Sequence, residues 1–237
     1  MNPRLYLIPS FISDSESPAS LPGHVAKVAA GLRVFVVEEE RSARRFLKKL
    51  DPQFPLQECV FFVLDEHAAA ADAGKIMDGL QGRDAGLISE AGCPCVADPG
   101  SDLVRLAHQS GREVVPLAGA SSFLLALMAS GLNGQNFAFN GYLPREQAER
   151  LKKIRALEQR SAAEQQTQIF METPYRNKHV FDDVLAACAP GTLLCIAADL
   201  TGPAQYVKTM PVREWKTASP PIEKSPAVFL IQKPSRP

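Results

Sequence analysis

Gly86-Leu-Ile-Ser-Glu-Ala-Gly-Cys-Pro-Cys-Val-Ala-Asp-Pro-Gly100 begins as a short apolar run and breaks at Glu90 into a loop rich in glycine and proline. Beyond it, Ser101 to Ser110 returns to helical spacing through Leu103, Leu106 and Ala107, and Glu113 to Leu117 is again strand-like. A strand, a long loop, a helix and a second strand form the unit from which parallel sheets are wound. Upstream the same alternation repeats. Arg4 to Pro9 and Val34 to Val37 read as buried strands and Val60 to Leu64 as a third strand, with helices near Leu21 to Ala30, after Glu38-Glu-Glu40, and over Glu66 to Leu80. This order predicts an N-terminal α/β domain with a mostly parallel sheet and flanking helices.

A boundary is expected after Leu117, giving domains 1–117 and 118–237. Ser121 to Ser130 is apolar nearly all round and reads as a buried helix capped by Ser121 or Ser122. Strands follow at Phe137 to Tyr142, Gln168 to Glu172, Leu193 to Ala198, Gln205 to Met210 and Ala227 to Gln232. Only two helices separate them, a polar exposed one over Arg145 to Gln166 and another near Lys178 to Cys188. So many strands per helix predict a mixed sheet. The fold class is two α/β domains in series.

Composition narrows the function. Lys+Arg and Asp+Glu each number 26 in 237 residues, so bulk charge alone cannot bind nucleic acid, although a local basic face can. The longest apolar run, Phe123 to Ala129, is far below the roughly 20 residues that span a bilayer, so no membrane partner is expected. The opening apolar stretch is too brief for the h-region of a signal peptide, which needs about 7–15 residues. Five cysteines, an odd number spread through apolar segments, read as reduced thiols of a cytoplasmic protein. Cys93-Pro-Cys95 has no second Cys/His pair at zinc spacing, so no metal is expected.

Four features carry candidate chemistry, each with a plainer alternative. The Glu90 to Gly100 loop leaves the carboxyl end of a parallel strand, where open α/β sheets place ligands; it can also be a structural turn. It contains no G-x-G-x-x-G and the chain has no P-loop, which disfavours dinucleotide and nucleoside-triphosphate readings. In Val115-Pro-Leu-Ala-Gly-Ala-Ser-Ser-Phe123, paired serines open a buried helix whose free amides suit an anionic group, or serve as ordinary caps. In Ile169-Phe-Met-Glu-Thr-Pro-Tyr-Arg176, Glu172 and Arg176 can orient a substrate hydroxyl or form a structural ion pair. Arg41, Arg44, Arg45, Lys48 and Lys49 fall on one helix face opposite Ala43, Phe46, Leu47 and Leu50. That stripe is a phosphate-tracking face or a solvated one.

In order along the chain, Leu5-Tyr-Leu-Ile-Pro9, Leu87 to Gly100, Val115-Pro-Leu-Ala-Gly119, Ser130-Gly-Leu132, Gly141-Tyr-Leu-Pro144 and Glu172-Thr-Pro-Tyr-Arg176 resemble the tetrapyrrole methylase superfamily of class III adenosylmethionine-dependent methyltransferases. The likeness is greatest to the branch that methylates a cytidine ribose 2′-hydroxyl in small-subunit ribosomal RNA. It implies S-adenosyl-L-methionine folded into a cleft between two α/β domains, usually in a homodimer. It also implies cofactor contacts at Pro9, Gly92, Cys93, Val96, Ser121 and Ser122, and at Met171, Ala198 and Ala227 from the second domain. Glu172 is the first candidate base for the hydroxyl and Glu38 the second, with Arg176 and Arg41 positioning phosphate or acceptor.

The chain departs from that branch in several places. Phe11-Ile-Ser-Asp-Ser15 stands for its Gly-Asn-Leu turn, Glu38-Glu-Glu-Arg-Ser42 for an acid followed by Asp-Thr-Arg-His-Thr, Glu223-Lys-Ser-Pro-Ala227 for a Lys-Gly-Glu motif, and Cys93 for Thr or Asp. Two other readings follow from these differences: a methyltransferase for a tetrapyrrole or other small molecule, and a divergent member that binds cofactor without turnover.

Overall fold

The computed structural model describes residues 2–13, 15, 20–64 and 70–234, with no side chains at 70 and 71. The chain divides into two compact units, Met1–Ser121 and Ser122–Pro237.

In the first unit, β1 (Arg4–Ile8), β2 (Val34–Val37), β3 (Val60–Val63), β4 (Ala85–Ile88) and β5 (Glu113–Pro116) form one sheet in the order β3-β2-β4-β1-β5. Every pairing is parallel. The inner strands β2 and β4 are buried at every residue, whereas the edge strands β3, also apolar throughout, and β5 are open at both ends. A strand covered on both faces has no polar side, which is why these read as continuous apolar runs.

Side chains alternate between two cores. Phe35 and Val37 join one together with Val25 and Ala29 of α1 (Gly23–Ala30) and Ala43, Phe46 and Leu47 of α2 (Glu40–Leu50). Val34 and Val36 join the other with Ala73 and Ile76 of α3 (Ala70–Gly79) and Leu103 and Ala107 of α4 (Ser101–Gln109). The period of two along each strand thus sends α1 and α2 to one face and α3 and α4 to the other. The first turn of the helix expected from Glu66, like part of the loop before Ser20, lies outside the described residues.

The second unit holds α5 (Ser122–Ser130), β6 (Phe137–Tyr142), α6 (Gln147–Glu164), β7 (Thr167–Glu172), α7 (Pro174–Ala187), β8 (Leu193–Ala198), β9 (Tyr206–Pro211), α8 (Val212–Trp215) and β10 (Ala227–Gln232). Its sheet runs β6-β7-β10-β8-β9, with β6/β7 parallel and the other pairings antiparallel. The expected mixed sheet is present.

Three local expectations are corrected. The helix expected near Lys178 starts at Pro174, because proline at the first helical position lacks an amide that would be unpaired there anyway. Four-residue α8 is an addition to the expected elements; it buries Trp215, whose indole donates to Leu194 O at 2.9 Å and meets Phe181 edge-on. The polar α6 is not wholly exposed: Ile154, Leu157 and Ser161 are buried, and Arg150 forms a buried ion pair with Asp183 at 2.7 Å. Arg150 therefore belongs to the interior and not to any basic surface.

Candidate functional site at the carboxyl edge of the N-terminal sheet

Neighbouring strands β1 and β4 send their following helices to opposite faces, α1 to one and α4 to the other. Their chain ends therefore part at the carboxyl edge and leave a crevice, the position at which open α/β sheets take ligands.

Three loops meet there. Ser10 N donates to Gly92 O at 2.9 Å and Ser89 Oγ donates to the same carbonyl at 2.7 Å, which pins the end of β1 to the loop after β4. Cys93 Sγ donates to Ala120 O at 3.3 Å, tying that loop to the segment after β5. Gly119 packs so closely on Pro9 that a Cβ would collide with the proline ring. Gly92, Cys95, Ala97 and Gly100 all have positive φ. At Gly100, φ is 126° and a Cβ would lie 2.7 Å from Leu87 Cδ2, so only glycine serves. Left-handed backbone at non-glycine residues costs about 1–3 kcal/mol and is found where the surroundings hold a binding loop in place.

Of the residues expected from sequence, Pro9, Gly92 and Cys93 are brought together here, and buried Ser121 closes the same unit. Val96 is on the loop but 39% exposed. Ser122 opens α5 in the second unit. Within that unit, Ala227 on β10 lies opposite both Glu172 on β7 and Ala198 on β8, and Met171 faces Val228. Met171, Ala198 and Ala227 thus share one end of the second sheet, where the buried alanines offer backbone rather than side chain.

The electrostatics single out a residue outside the expected set. Asp98 Oδ2 is buried without a hydrogen-bond partner among the described residues. Burial first, then the carboxylates of Glu38 and Glu90, push the Asp98 carboxyl up from 3.8 to about 7. Glu38 follows β2 and Glu90 follows β4, which are adjacent strands, so the sheet order itself gathers the three acids. The Asp-Pro-Gly motif is visible in the sequence, but the strand order that surrounds it with charge is not. Burial, with Asp98 second, also raises Cys93, and takes Cys95 to about 11, so both thiols stay neutral at pH 7 and neither is an activated nucleophile.

Glu172 and Arg176 form an ion pair. Glu172 ends β7 with its side chain 1% exposed, and its Oε2 lies 3.0 Å from Arg176 Nη2. The contact is an ion pair whose angle falls outside hydrogen-bond geometry. Oε1 accepts from Thr173 N at 2.9 Å, while Arg176 Nη2 also donates to Leu143 O and Pro144 O at 3.0 and 3.1 Å. The pair clamps the end of β7 to the turn before α6. Arg41 is exposed on the first turn of α2, and Glu38 is half-buried just before that helix. Among the described residues no group of three metal-ligating side chains is present, and no helix is long and apolar enough to cross a membrane.

The profile of the Tetrapyrrole (Corrin/Porphyrin) Methylases matches residues 17–216. Over 222 residues the chain is 29% identical to the Ribosomal RNA small subunit methyltransferase I of Pseudomonas aeruginosa, covering 92% of this chain and 74% of that protein. The protein of the same name from Haemophilus influenzae is 32% identical over 176 residues, covering 73% of this chain and 61% of its own length. Over 175 residues the Bacillus subtilis protein is 33% identical, covering 73% of this chain and 56% of its own. The matched part thus spans between about half and three-quarters of these relatives. Among solved structures, the methyltransferase CobJ superposes with a TM-score of 0.62 at 17% identity, over 98% of this chain and 95% of that one. Cobalt precorrin-4 methyltransferase CbiF superposes at 0.61 with 14% identity, over 97% and 94%. At such identities the likeness is one of fold.

Proposed function

Because the chain belongs to the tetrapyrrole methylase family, we propose that it transfers a methyl group from S-adenosyl-L-methionine to a ribose 2′-hydroxyl of small-subunit ribosomal RNA, as a cytoplasmic homodimer. What supports the RNA acceptor is the run of relatives named Ribosomal RNA small subunit methyltransferase I, one of them matched over 92% of the chain. The carboxyl edge of the first sheet suits the donor. Gly119 sits against Pro9, and a Cβ at Gly92 would press within 3.3 Å of Ile12 and 3.4 Å of Ala120 O, so bare backbone faces whatever enters.

When bound, adenosylmethionine supplies an electrophilic methyl group on a sulfonium that leaves as a neutral thioether. The chain's own residues then align the acceptor and receive one proton. Alignment in such a displacement is worth up to about 7–11 kcal/mol. Asp98, poised near 7, is the group we assign to accept the 2′-hydroxyl proton, since a base works best with a pKa near the working pH. Glu38 and Glu90 act by holding it there. Arg41 positions phosphate at the start of α2. Glu172 and Arg176 hold the end of β7 in place and act through that clamp.

The test is methylation by the purified chain of small ribosomal subunits, with tetrapyrrole precursors as the competing acceptors and a labelled methyl donor. Label recovered in a 2′-O-methylated nucleoside is the expected result. Label in a tetrapyrrole alone, or in neither despite bound adenosylhomocysteine, would replace this reading with one of the two others.

A further inference from the structure

Tyr175 is 93% exposed, at the second position of α7 in the second unit. A tyrosine ring ordinarily lies on apolar neighbours and leaves only its hydroxyl in water. Local looseness does not explain the exposure, because the next two residues are both tethers. Arg176 Nη2 donates to Leu143 O and Pro144 O, in the turn between β6 and α6, and pairs with buried Glu172. Asn177 is fully buried, and its Nδ2 donates to Ile222 O at 2.6 Å and Ser225 O at 2.8 Å, in the loop before β10. Buried Arg150, paired with Asp183, fixes the turn after β6 a second time by donating to Pro144 O and Arg145 O.

The sheet order decides what surrounds the ring. In β6-β7-β10 the strand that leads into α7 is the middle one, and the end of β6 and the start of β10 both lie at its carboxyl end. The turn after β6 brings exposed Arg145 to one side, behind Tyr142, whose side chain is 51% exposed. The loop before β10 brings exposed Lys224 to the other. Neither cation has an ion-pair partner among the described residues. Glu146 and Glu223, next to them in the chain, are exposed too, so the patch is not strongly cationic. It presents an aromatic face with one cation on either side.

We infer that Tyr175 is a stacking platform for one unpaired base of a single-stranded RNA, with Arg145 and Lys224 holding the phosphates on either side of that nucleotide. This rests on the RNA reading above and adds a substrate contact to it on the second unit. Unpaired bases stack on aromatic side chains while cations follow the backbone, and a duplex keeps its bases out of reach. The tethers at Arg176 and Asn177 fix the backbone under the ring, so little further ordering is needed when a base lands. With two phosphate contacts and two acids nearby, stacking carries more of the affinity than charge does, in keeping with a chain of zero net charge.

The experiment is fluorescence anisotropy of the full chain with a fluorescein-labelled single-stranded RNA containing cytidine, repeated over a range of salt. The parent is compared with Tyr175→Ala, Tyr175→Phe, Tyr175→Leu and Arg145→Ala/Lys224→Ala, and each is also titrated with adenosylhomocysteine by calorimetry. At so exposed a position none of the Tyr175 variants puts the fold at risk. Tyr175→Ala should bind the RNA about 5- to 150-fold more weakly, the worth of one base–aromatic stack, with an unchanged salt slope. Tyr175→Phe should stay within about threefold of the parent, because the ring face is what binds, and Tyr175→Leu, apolar without that face, should fall with Tyr175→Ala. For Arg145→Ala/Lys224→Ala the log–log salt slope should become shallower by about 0.7 for each phosphate contact removed. A duplex of the same sequence should compete poorly with the single strand. Parent-like binding by Tyr175→Ala overturns the inference and leaves the RNA reading standing. So does parent-like binding by Tyr175→Leu, which would make the residue an apolar contact for some other partner, and so does a duplex that competes as well as the single strand. An unchanged slope in the Arg145/Lys224 variant overturns it too. Loss of adenosylhomocysteine binding in Tyr175→Ala does the same, since the ring would then serve the methyl donor. A parent that binds adenosylhomocysteine but no RNA removes the RNA reading and this assignment together.

Discussion

Each unit carries an acid at the carboxyl edge of its sheet, fully buried Glu172 at the end of β7 and half-buried Asp98 in the loop after β4, and the two have opposite charged neighbours. In the second unit Glu172 ends β7 with a guanidinium 3.0 Å away and an amide on its other oxygen. In the first, Asp98 also has one oxygen without a hydrogen-bond partner among the described residues, as Glu172 Oε2 does, but its charged neighbours are two carboxylates and not a guanidinium. An acid whose charge is compensated serves as a fastening. An acid whose charge is opposed is held near its titration point, costs stability when ionised, and is retained where a proton must be taken. In the reading proposed above, the difference assigns the proton transfer to the N-terminal edge and a supporting role to the Glu172–Arg176 pair.

The sharpest way to break this contrast is to neutralise each acid in turn and follow turnover. Asp98→Asn should lower kcat by about 10²–10⁴-fold, the usual worth of a positioned base, with adenosylhomocysteine affinity unchanged within a few-fold. Glu172→Gln should lose far less, and what it loses should vanish at temperatures where both proteins are folded. Should Glu172→Gln be the silent enzyme and Asp98→Asn the active one, the roles are reversed.

Next in size is a stability effect in the second unit. Arg176→Met leaves the Glu172 carboxylate buried beside an aliphatic chain, and breaking a buried pair on one side costs about 3–5 kcal/mol. Denaturant unfolding measures it. The double variant Arg176→Met/Glu172→Gln should recover part of the loss, because no uncompensated charge then remains. An Arg176→Met protein as stable as the parent would mean that the pair is screened by solvent and fastens nothing.

These two acids also mark how far the amino-acid sequence reaches by itself. Val34 to Val37 and Leu193 to Ala198 declare themselves as buried strands because a fully covered strand has no polar alternation to disguise it. Pro9, Gly92 and Cys93 are legible as a group only through resemblance, since what unites them is backbone: one shared carbonyl, one thiol-to-carbonyl bond and a glycine pressed on a proline. Asp98 stands in plain view in Ala-Asp-Pro-Gly, yet its character comes from Glu38 and Glu90, which are distant in sequence and meet through a strand order no local pattern encodes. Trp215 and α8 escape a reading by pattern because a four-residue helix has no periodicity to detect. In α2, helical spacing sets the five cations apart from the buried Ala43, Phe46 and Leu47. Arg44 is engaged by Glu40 and Lys48 by the carbonyl of Pro52, and side-chain partners leave no trace in spacing.

The smallest effect, and the one that tests the contrast without any substrate, is the pH dependence of stability at Asp98. Its folded-state carboxyl is raised from 3.8 to about 7, chiefly by burial and then by Glu38 and Glu90. A group raised in this way favours the folded state while it is protonated. Its contribution is fully present below the unfolded value near 3.8 and is lost as pH rises through about 7. At pH 8 the parent protein therefore carries the cost of an ionised, partly buried Asp98 that Asp98→Asn does not. After allowance for solvent screening of a group that is not fully enclosed, that cost is about 1 kcal/mol, or roughly 2–4 °C in Tm for a chain of this size. Asp98→Asn should thus melt higher than the parent at pH 8, with the difference shrinking to nothing toward pH 4, while Glu172→Gln, which removes one side of an ion pair, should melt lower than the parent. A variant that loses turnover and gains stability at the same pH would show that the fold bears a cost at Asp98 for the sake of the reaction. An Asp98→Asn protein that melts below its parent at pH 8 would mean the carboxylate is satisfied there after all, and the opposition between the two acids would collapse.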